Sequence, residues 1–303
     1  MEIFINAPSY SDTNGGAIVL HRLCHLINEI TEHNAYLIST GYPLKGMKKF
    51  RRFFKGIMVK PKDYQTKLGW NTPIWNKTRI PKEGIAIYPE IVDGNPFNSK
   101  YVVRWLLHQP GFHNGSYKYS SNELFFKFNS AIKDFNHKNG VLSSQELKVI
   151  YYPIDTYNLN NEEERTIECC HLVRKGSYKP EIHPKNSISL DNKSHQECAD
   201  ILKKAKRFIC YDDYTAYSIF AVLCGCQSIV VPDKNTSIEQ WYPNPADRYG
   251  IAYGMSNEQL NWAEKTKEKV LEHIIKEHKR SEECVINCIK EIALFWHSRQ
   301  NSC

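Results

Sequence analysis

Residues 206–233, KRFICYDDYTAYSIFAVLCGCQSIVVPD, constrain the fold of this chain more than any other stretch. RFICY and SIVV are short, nearly continuous apolar runs rich in β-branched and aromatic residues, the pattern of strands buried on both faces of a parallel sheet. Between them AYSIFAVLCGC reads as a helix. The turn that joins strand to helix holds Asp212, Asp213 and Thr215, whose side-chain oxygens suit a helix start. The same turn lies at the carboxyl end of a strand, where open α/β sheets bind ligands. Capping and ligand binding are both open to these residues.

A second unit of the same kind lies upstream. RTIECCHLV, 165–173, is a candidate strand followed at once by Arg174, Lys175 and Gly176. Two cations and a glycine at a strand end suit a diphosphate, which arginine can bind bidentately. A solvated basic turn is the alternative.

The first half repeats the alternation. EIFINAP begins it as a strand, the polar loop SYSDTNGG follows, and apolar residues at helical spacing (Ile18, Val19, Leu23, Leu26, Ile27, Ile30) mark a helix. Gly15 and Gly16 just before that helix let a ligand approach backbone amides at its positively polarised start, although a tight connection explains them as well. AYLIS (35–39), IAIYPE (85–90), YVVRWLL (101–107) and LKVIYY (147–152) read as further strands, with a long irregular loop over 60–84. Glu90 ends one of them and Asp93 follows it, while His108 comes directly after another. The polar run YPIDTYNLNNEEERT marks a boundary, placing one domain at 1–153 and a second at 154–303 that closes with helices over 257–296. The fold class is therefore α/β, two halves followed by terminal helices.

Charge is placed unevenly. Residues 1–150 hold 20 Lys and Arg against 11 Asp and Glu, net +9, whereas residues 151–303 hold 20 against 22, net −2. Residues 45–67 alone carry nine cations and one acid, Asp63, so something acidic is expected to meet the first domain. Within this segment KGMKKFRRFFKGIM sets Phe and Met on one helical face against Lys48, Lys49, Arg51, Arg52 and Lys55 on the other. That pattern suits a helix lying in an anionic membrane interface, and equally a surface helix with its Phe side chains in the core. Nucleic acid is disfavoured as a partner because the aromatics lie opposite the cations rather than beside them.

The ten cysteines include no CxxC pair and fall mostly in apolar runs, so reduced core thiols are expected and no metal site. No run is long enough to span a bilayer, and the first residues have no basic stretch followed by an apolar one. A cytoplasmic protein, peripheral at most on the inner membrane, is the expectation.

This layout resembles the glycosyltransferases of the GT-B type, built from two facing Rossmann-like domains. The likeness covers nearly the whole chain and is one of architecture. Its residues are the Gly15-Gly16 loop and its helix, the RKG turn at 174–176, YDDYTAYSIFAVLCGCQSIVVPD, and the closing RYGIAYG. VVRWLL near a YPE segment is similar to bacterial enzymes of surface-polysaccharide (lipopolysaccharide and capsule) synthesis. The resemblance implies a nucleotide-sugar donor on the C-terminal domain and a glycan or lipid-linked glycan acceptor on the N-terminal one. It implies that Arg174 and Lys175 neutralise the leaving diphosphate, and that Asp212, Asp213 and Thr215 contact donor hydroxyls or phosphate oxygens. Many relatives carry a glutamate-based motif where this chain has YDDYT, which leaves open which donor group is held. No Asp-x-Asp triplet is present, so metal-independent transfer without a bound cofactor is expected. An inverting reaction needs a base for the acceptor hydroxyl, and Glu90, Asp12, Asp93 and His108 are the candidates, Glu90 first because it ends a buried strand. A nucleotide-sugar epimerase of the same fold and a non-catalytic basic binding protein are the alternatives. Base, sugar, acceptor and anomeric outcome are not legible in the sequence.

Overall fold

The structure, a computed structural model, describes residues 1–39, 63–77, 79–130, 132, 133, 135, 140–160 and 164–300. The basic helix expected within 45–58 lies outside these residues. The chain divides into two compact units, Met1–Tyr151 with His278–Cys303, and Tyr152–Glu277.

The first unit opens with β1 (Glu2–Ala7), α1 (Gly15–Ile30) and β2 (Asn34–Ser39), the βαβ start that the apolar spacing predicts. It continues with β3 (Ile85–Pro89), β4 (Tyr101–Leu106), β5 (Leu124–Lys127) and β6 (Val141–Glu146). These form one parallel sheet in the order β2-β1-β3-β4-β5-β6. Ile3, Ile5, Ile87, Val103 and Trp105 line the face packed by α1. The opposite face, around Phe4, Ala86 and Tyr88, is covered by Trp75, Ile80, Val92 and Phe97 from segments outside the strands.

Two differences from the sequence reading have physical causes. The strand expected at 147–152 is instead β6, just before it, while Leu147 and Val149 are buried beyond its end, outside any strand. β6 is an edge strand of mostly polar residues with Val141 exposed, so its composition reads as loop. β5 is a four-residue strand and gives too short a signal to separate from its surroundings.

The second unit contains β7 (Ile167–Leu172), β8 (Ile188–Ser189), α2 (His195–Lys204), β9 (Ala205–Cys210), α3 (Tyr217–Leu223), β10 (Gln227–Val230), α4 (Ile238–Trp241), β11 (Ile251–Tyr253) and α5 (Asn257–Thr266). Its sheet is also parallel, in the order β11-β10-β9-β7-β8. The strand, turn, helix and strand of 206–233 are present as β9, α3 and β10. α2 begins with a full capping box, Ser194 accepting from Glu197 N–H and the Glu197 side chain returning to the Ser194 N–H.

The last helix, α6 (Val270–Gln300), starts in the second unit and ends in the first. Val270 and Ile274 belong to the second unit's core, and Val285, Ile289, Ile292 and Trp296 to the first's. The boundary at Tyr151 is close to the expected 153, but residues 278–303 do not belong to the second domain, as 154–303 required. An apolar stripe on a helix specifies burial without specifying which sheet it covers. The nine described cysteines are all free and eight of them are buried, as small hydrophobes in the cores.

Candidate functional site

Strand order places the candidates. In the second sheet the chain leaves β7 for β8 on one side, then returns to β9 and continues to β10 on the other. Loops that leave β7 and β9 therefore diverge, opening a crevice at the strands' carboxyl ends. The turn after β7 is Arg174–Gly176, and the turn after β9 holds Asp212, Asp213 and Thr215. Two turns chosen separately from sequence thus meet at one switch point.

The β7 turn lies directly on the β9 exit. A Cβ on Gly176 would come within 2.1 Å of the Tyr211 carbonyl oxygen, so only glycine allows this approach. Asp191, just beyond β8, accepts hydrogen bonds from the Val173 and Arg174 backbone N–H groups at 2.9 and 3.0 Å. Burial alone would raise its pKa, but those bonds and one from Ser189 outweigh burial and hold it below the usual carboxylate range. Arg174 is left with φ of 40°, in the left-handed region that non-glycine residues seldom occupy. Its guanidinium is 4.0 Å from Asp212, too far for a strong pair, and 39% of the side chain is exposed. Lys175 is exposed as well. Both cations are available to an oxyanion.

Of the acids in the β9 turn, Asp213 is committed. It pairs at 2.7 Å with Lys179, a buried ammonium that also donates to the Val231 carbonyl at 2.7 Å. Trp241 Nε1–H bonds the Asp213 carbonyl at 2.8 Å. Asp212, 7% exposed, accepts weakly from Tyr214 N–H and backs Arg174. Thr215 Oγ1 accepts a long hydrogen bond from Tyr217 N–H at 3.4 Å, but the N-cap of α3 is Ala216 and no side chain caps the helix, so the capping role that the sequence left open to Asp212, Asp213 and Thr215 is not filled. Lys179 and Asp191, which hold this crevice together, were not legible, because a lone lysine or aspartate in a polar loop carries no periodic signal.

The first sheet has the same reversal. β1 leads out to β2, and β3 lies on the other side of β1. At that switch point the exit of β1 carries Asp12, Gly15 and Gly16, and the exit of β3 carries Glu90. The glycines are the first two residues of α1, capped by Asn14, whose side chain accepts from Ala17 N–H at 3.1 Å. Asp12 is exposed and bonded by the Tyr10 hydroxyl.

Glu90 is 6% exposed and accepts from Leu107 N–H at the end of β4, at 3.0 Å. Burial raises its pKa, only partly offset by that bond and by His113 and His108 nearby. His108 Nδ1 accepts from Gln109 N–H at 2.8 Å, which leaves the neutral ring's proton on Nε2. It is therefore set up as a donor, and Glu90 is the better placed base.

The loop after β3 is fixed by Arg104 of β4. With Glu123 it forms a fully buried bidentate pair at 2.8 and 2.9 Å, and it donates further to the Val92 and Gly94 carbonyls at 2.6 and 2.8 Å. Asp93, which is exposed, accepts from Lys118 N–H at 2.9 Å in the same loop. Among the described residues no group of three or more His, Cys, Asp or Glu side chains is placed to hold a metal ion, and no helix is long and apolar enough to cross a membrane. No family model and no curated protein matches this sequence.

Proposed function

We propose that the protein is a nucleotide-sugar-dependent glycosyltransferase of the GT-B type, transferring a sugar to a glycan or lipid-linked glycan acceptor in surface-polysaccharide synthesis. One observation supports this most: each sheet reverses its strand order where candidate residues gather, cations in the second unit and a buried carboxylate in the first. In this reading the second unit binds the donor. Arg174 and Lys175 neutralise the diphosphate as its bond to the sugar C1 breaks, stabilising charge where it develops. Glu90 takes the proton of the acceptor hydroxyl, whose oxygen forms the new bond to C1. Preformed side-chain charge at the β7 turn serves the leaving group without a metal. The basic segment 45–67 holds an anionic surface or acceptor near the first unit.

Calorimetry and thermal shift with UDP, GDP, CMP and their sugars test the donor half. Binding by one of them that is weakened in Arg174→Ala is expected; binding by none overturns the reading. Turnover should persist in EDTA, and its loss with recovery on adding Mg²⁺ or Mn²⁺ would contradict the metal-independent mechanism. Conversion of donor with no acceptor present would instead identify an epimerase.

A further inference from the structure

We infer that the first unit carries an anion site built around Trp70 and Tyr151, which takes the phosphate or carboxylate of an acidic sugar. That this sugar is the transfer acceptor rests on the function proposed above; the site itself does not.

Arg22, from α1, and Lys67 carry the inference. The Arg22 guanidinium lies 5.4 Å from the Trp70 ring centre and 5.6 Å from that of Tyr151. The Lys67 ammonium lies 5.5 and 5.4 Å from the same two rings and 5.3 Å from Tyr10. Neither cation has a carboxylate within ion-pair distance or a hydrogen-bond acceptor among the described residues, and the Arg22 Nε is buried with no partner. The two buried cations Arg104 and Lys179 are fully paired, Arg104 by Glu123 and two carbonyls and Lys179 by Asp213 and a carbonyl. Arg248, which like Arg22 has buried guanidinium nitrogens without a partner, has a single tryptophan ring beside it and, among the described residues, no second cation sharing that ring. A half-buried guanidinium whose Nε–H has no partner is costly, and an oxyanion bound at its terminal nitrogens offsets that cost through charge-assisted hydrogen bonds.

The surroundings keep the charge positive. Burial and the Arg22 charge lower the pKa values of His25 and His278, which favours their neutral forms. His25 Nδ1 accepts from Asn71 N–H at 3.0 Å. Of the nearby acids, Glu29 bonds the Asn71 amide, Asp12 takes the Tyr10 hydroxyl, and Glu282 is felt by Arg22 only electrostatically. Trp70 and Tyr151 meet edge to face at 4.9 Å, offering a ring face to the C–H side of a sugar. The cluster is tied to the exit of β1, the end where Glu90 sits in the same sheet. Tyr10 N–H bonds the Gln65 carbonyl at 2.9 Å, and Gln65 N–H bonds Ser9 Oγ at 2.8 Å.

The test uses the full chain and four probes, glucose 1-phosphate, glucuronate, inorganic phosphate and neutral glucose, followed by calorimetry and tryptophan fluorescence. One of the acidic sugars should bind more tightly than glucose, and Trp70→Ala should remove its advantage over inorganic phosphate. Which of the two binds separates a phosphorylated from a carboxylated acceptor. Arg22→Gln and Lys67→Gln should each weaken it about tenfold, roughly one charge-assisted hydrogen bond, while Arg174→Ala leaves it unchanged. If Arg22→Gln does not fold, Lys67→Gln, which is only partly buried, carries the test. No acidic sugar binding better than glucose, or equal binding by wild type and both variants, overturns the inference. Nucleotide binding that survives in these variants leaves the transferase reading standing; acidic-sugar binding without any nucleotide binding leaves the anion site standing alone.

Discussion

Glu90 and Arg174 are both held in conformations or surroundings that stability alone would not select. Burial raises the Glu90 pKa, so the fold favours its protonated form, and ionising it costs stability as pH climbs past the ordinary glutamate range. Glu90→Gln keeps an acceptor for Leu107 N–H and removes that cost. We expect its melting temperature to match or exceed wild type at pH 7–8, the advantage vanishing below pH ~4.5, the ordinary glutamate value, while transfer falls by roughly 10²–10⁴-fold. Melting curves over pH, with a transfer assay once a donor is known, check both; a destabilised variant at neutral pH would contradict the account. The acid limb of kcat/KM should likewise lie above an unperturbed glutamate. Arg174 occupies a left-handed backbone position with its side chain half exposed, a strain that function can explain and packing does not. Arg174→Ala should weaken nucleotide diphosphate binding by roughly 1.5–3 kcal/mol and change stability little, since its pair with the buried Asp212 is long at 4.0 Å and the arginine itself is exposed. These residues stood out in sequence because strand ends are readable. Lys179, Asp191, Arg22 and Lys67 did not, because their roles come from partners as far as 129 positions away in sequence, or from lacking an acceptor.

Two turns and one clamp decide where those side chains point. Gly176 permits the β7 turn to lie on the β9 exit, and no rearrangement of a flexible side chain can relieve a Cβ placed against a backbone carbonyl. Gly176→Ala should cost about 1–3 kcal/mol, the range for overpacking, and weaken nucleotide binding along with it; an unfolding midpoint equal to wild type would sink this. The Arg104–Glu123 pair holds the loop that follows Glu90 through the Val92 and Gly94 carbonyls. Glu123→Gln leaves a guanidinium buried without its counter-ion and should cost about 3–5 kcal/mol, measurable by urea denaturation. Apolar periodicity announced the strands that carry these features. The clamp itself was invisible, since VVRWLL reads as a strand with one misplaced charge until Glu123, just before β5, supplies the partner.

Across the whole molecule, two parallel sheets wound in the same sense about β1 and β7 hold the candidate residues at equivalent places. The charge asymmetry belongs to this scale too. Like charges repel, so fold stability gives no reason to gather nine cations between residues 45 and 67, whereas an anionic partner does. Each contributes about 1 kcal/mol near an anionic bilayer, screened by salt. Co-sedimentation with anionic liposomes at low salt is expected, and should be lost when Lys48, Lys49, Arg51 and Arg52 are all changed to Gln. Equal sedimentation of both proteins, or none, would refute the membrane reading and leave the segment as an acceptor groove or a solvated face. The sequence by itself determined the α/β class, most strands, the Tyr151 boundary to within a few residues and the strand-end turns, because alternation of apolar runs, turn residues and caps is a local property. Tertiary structure alone decided the strand order that turns separate turns into crevices, the commitment of Asp213 to Lys179, and the return of α6 to the first unit. Those depend on which distant segments meet, and a residue's burial, charge state and free hydrogen-bonding capacity are set by its neighbours in space.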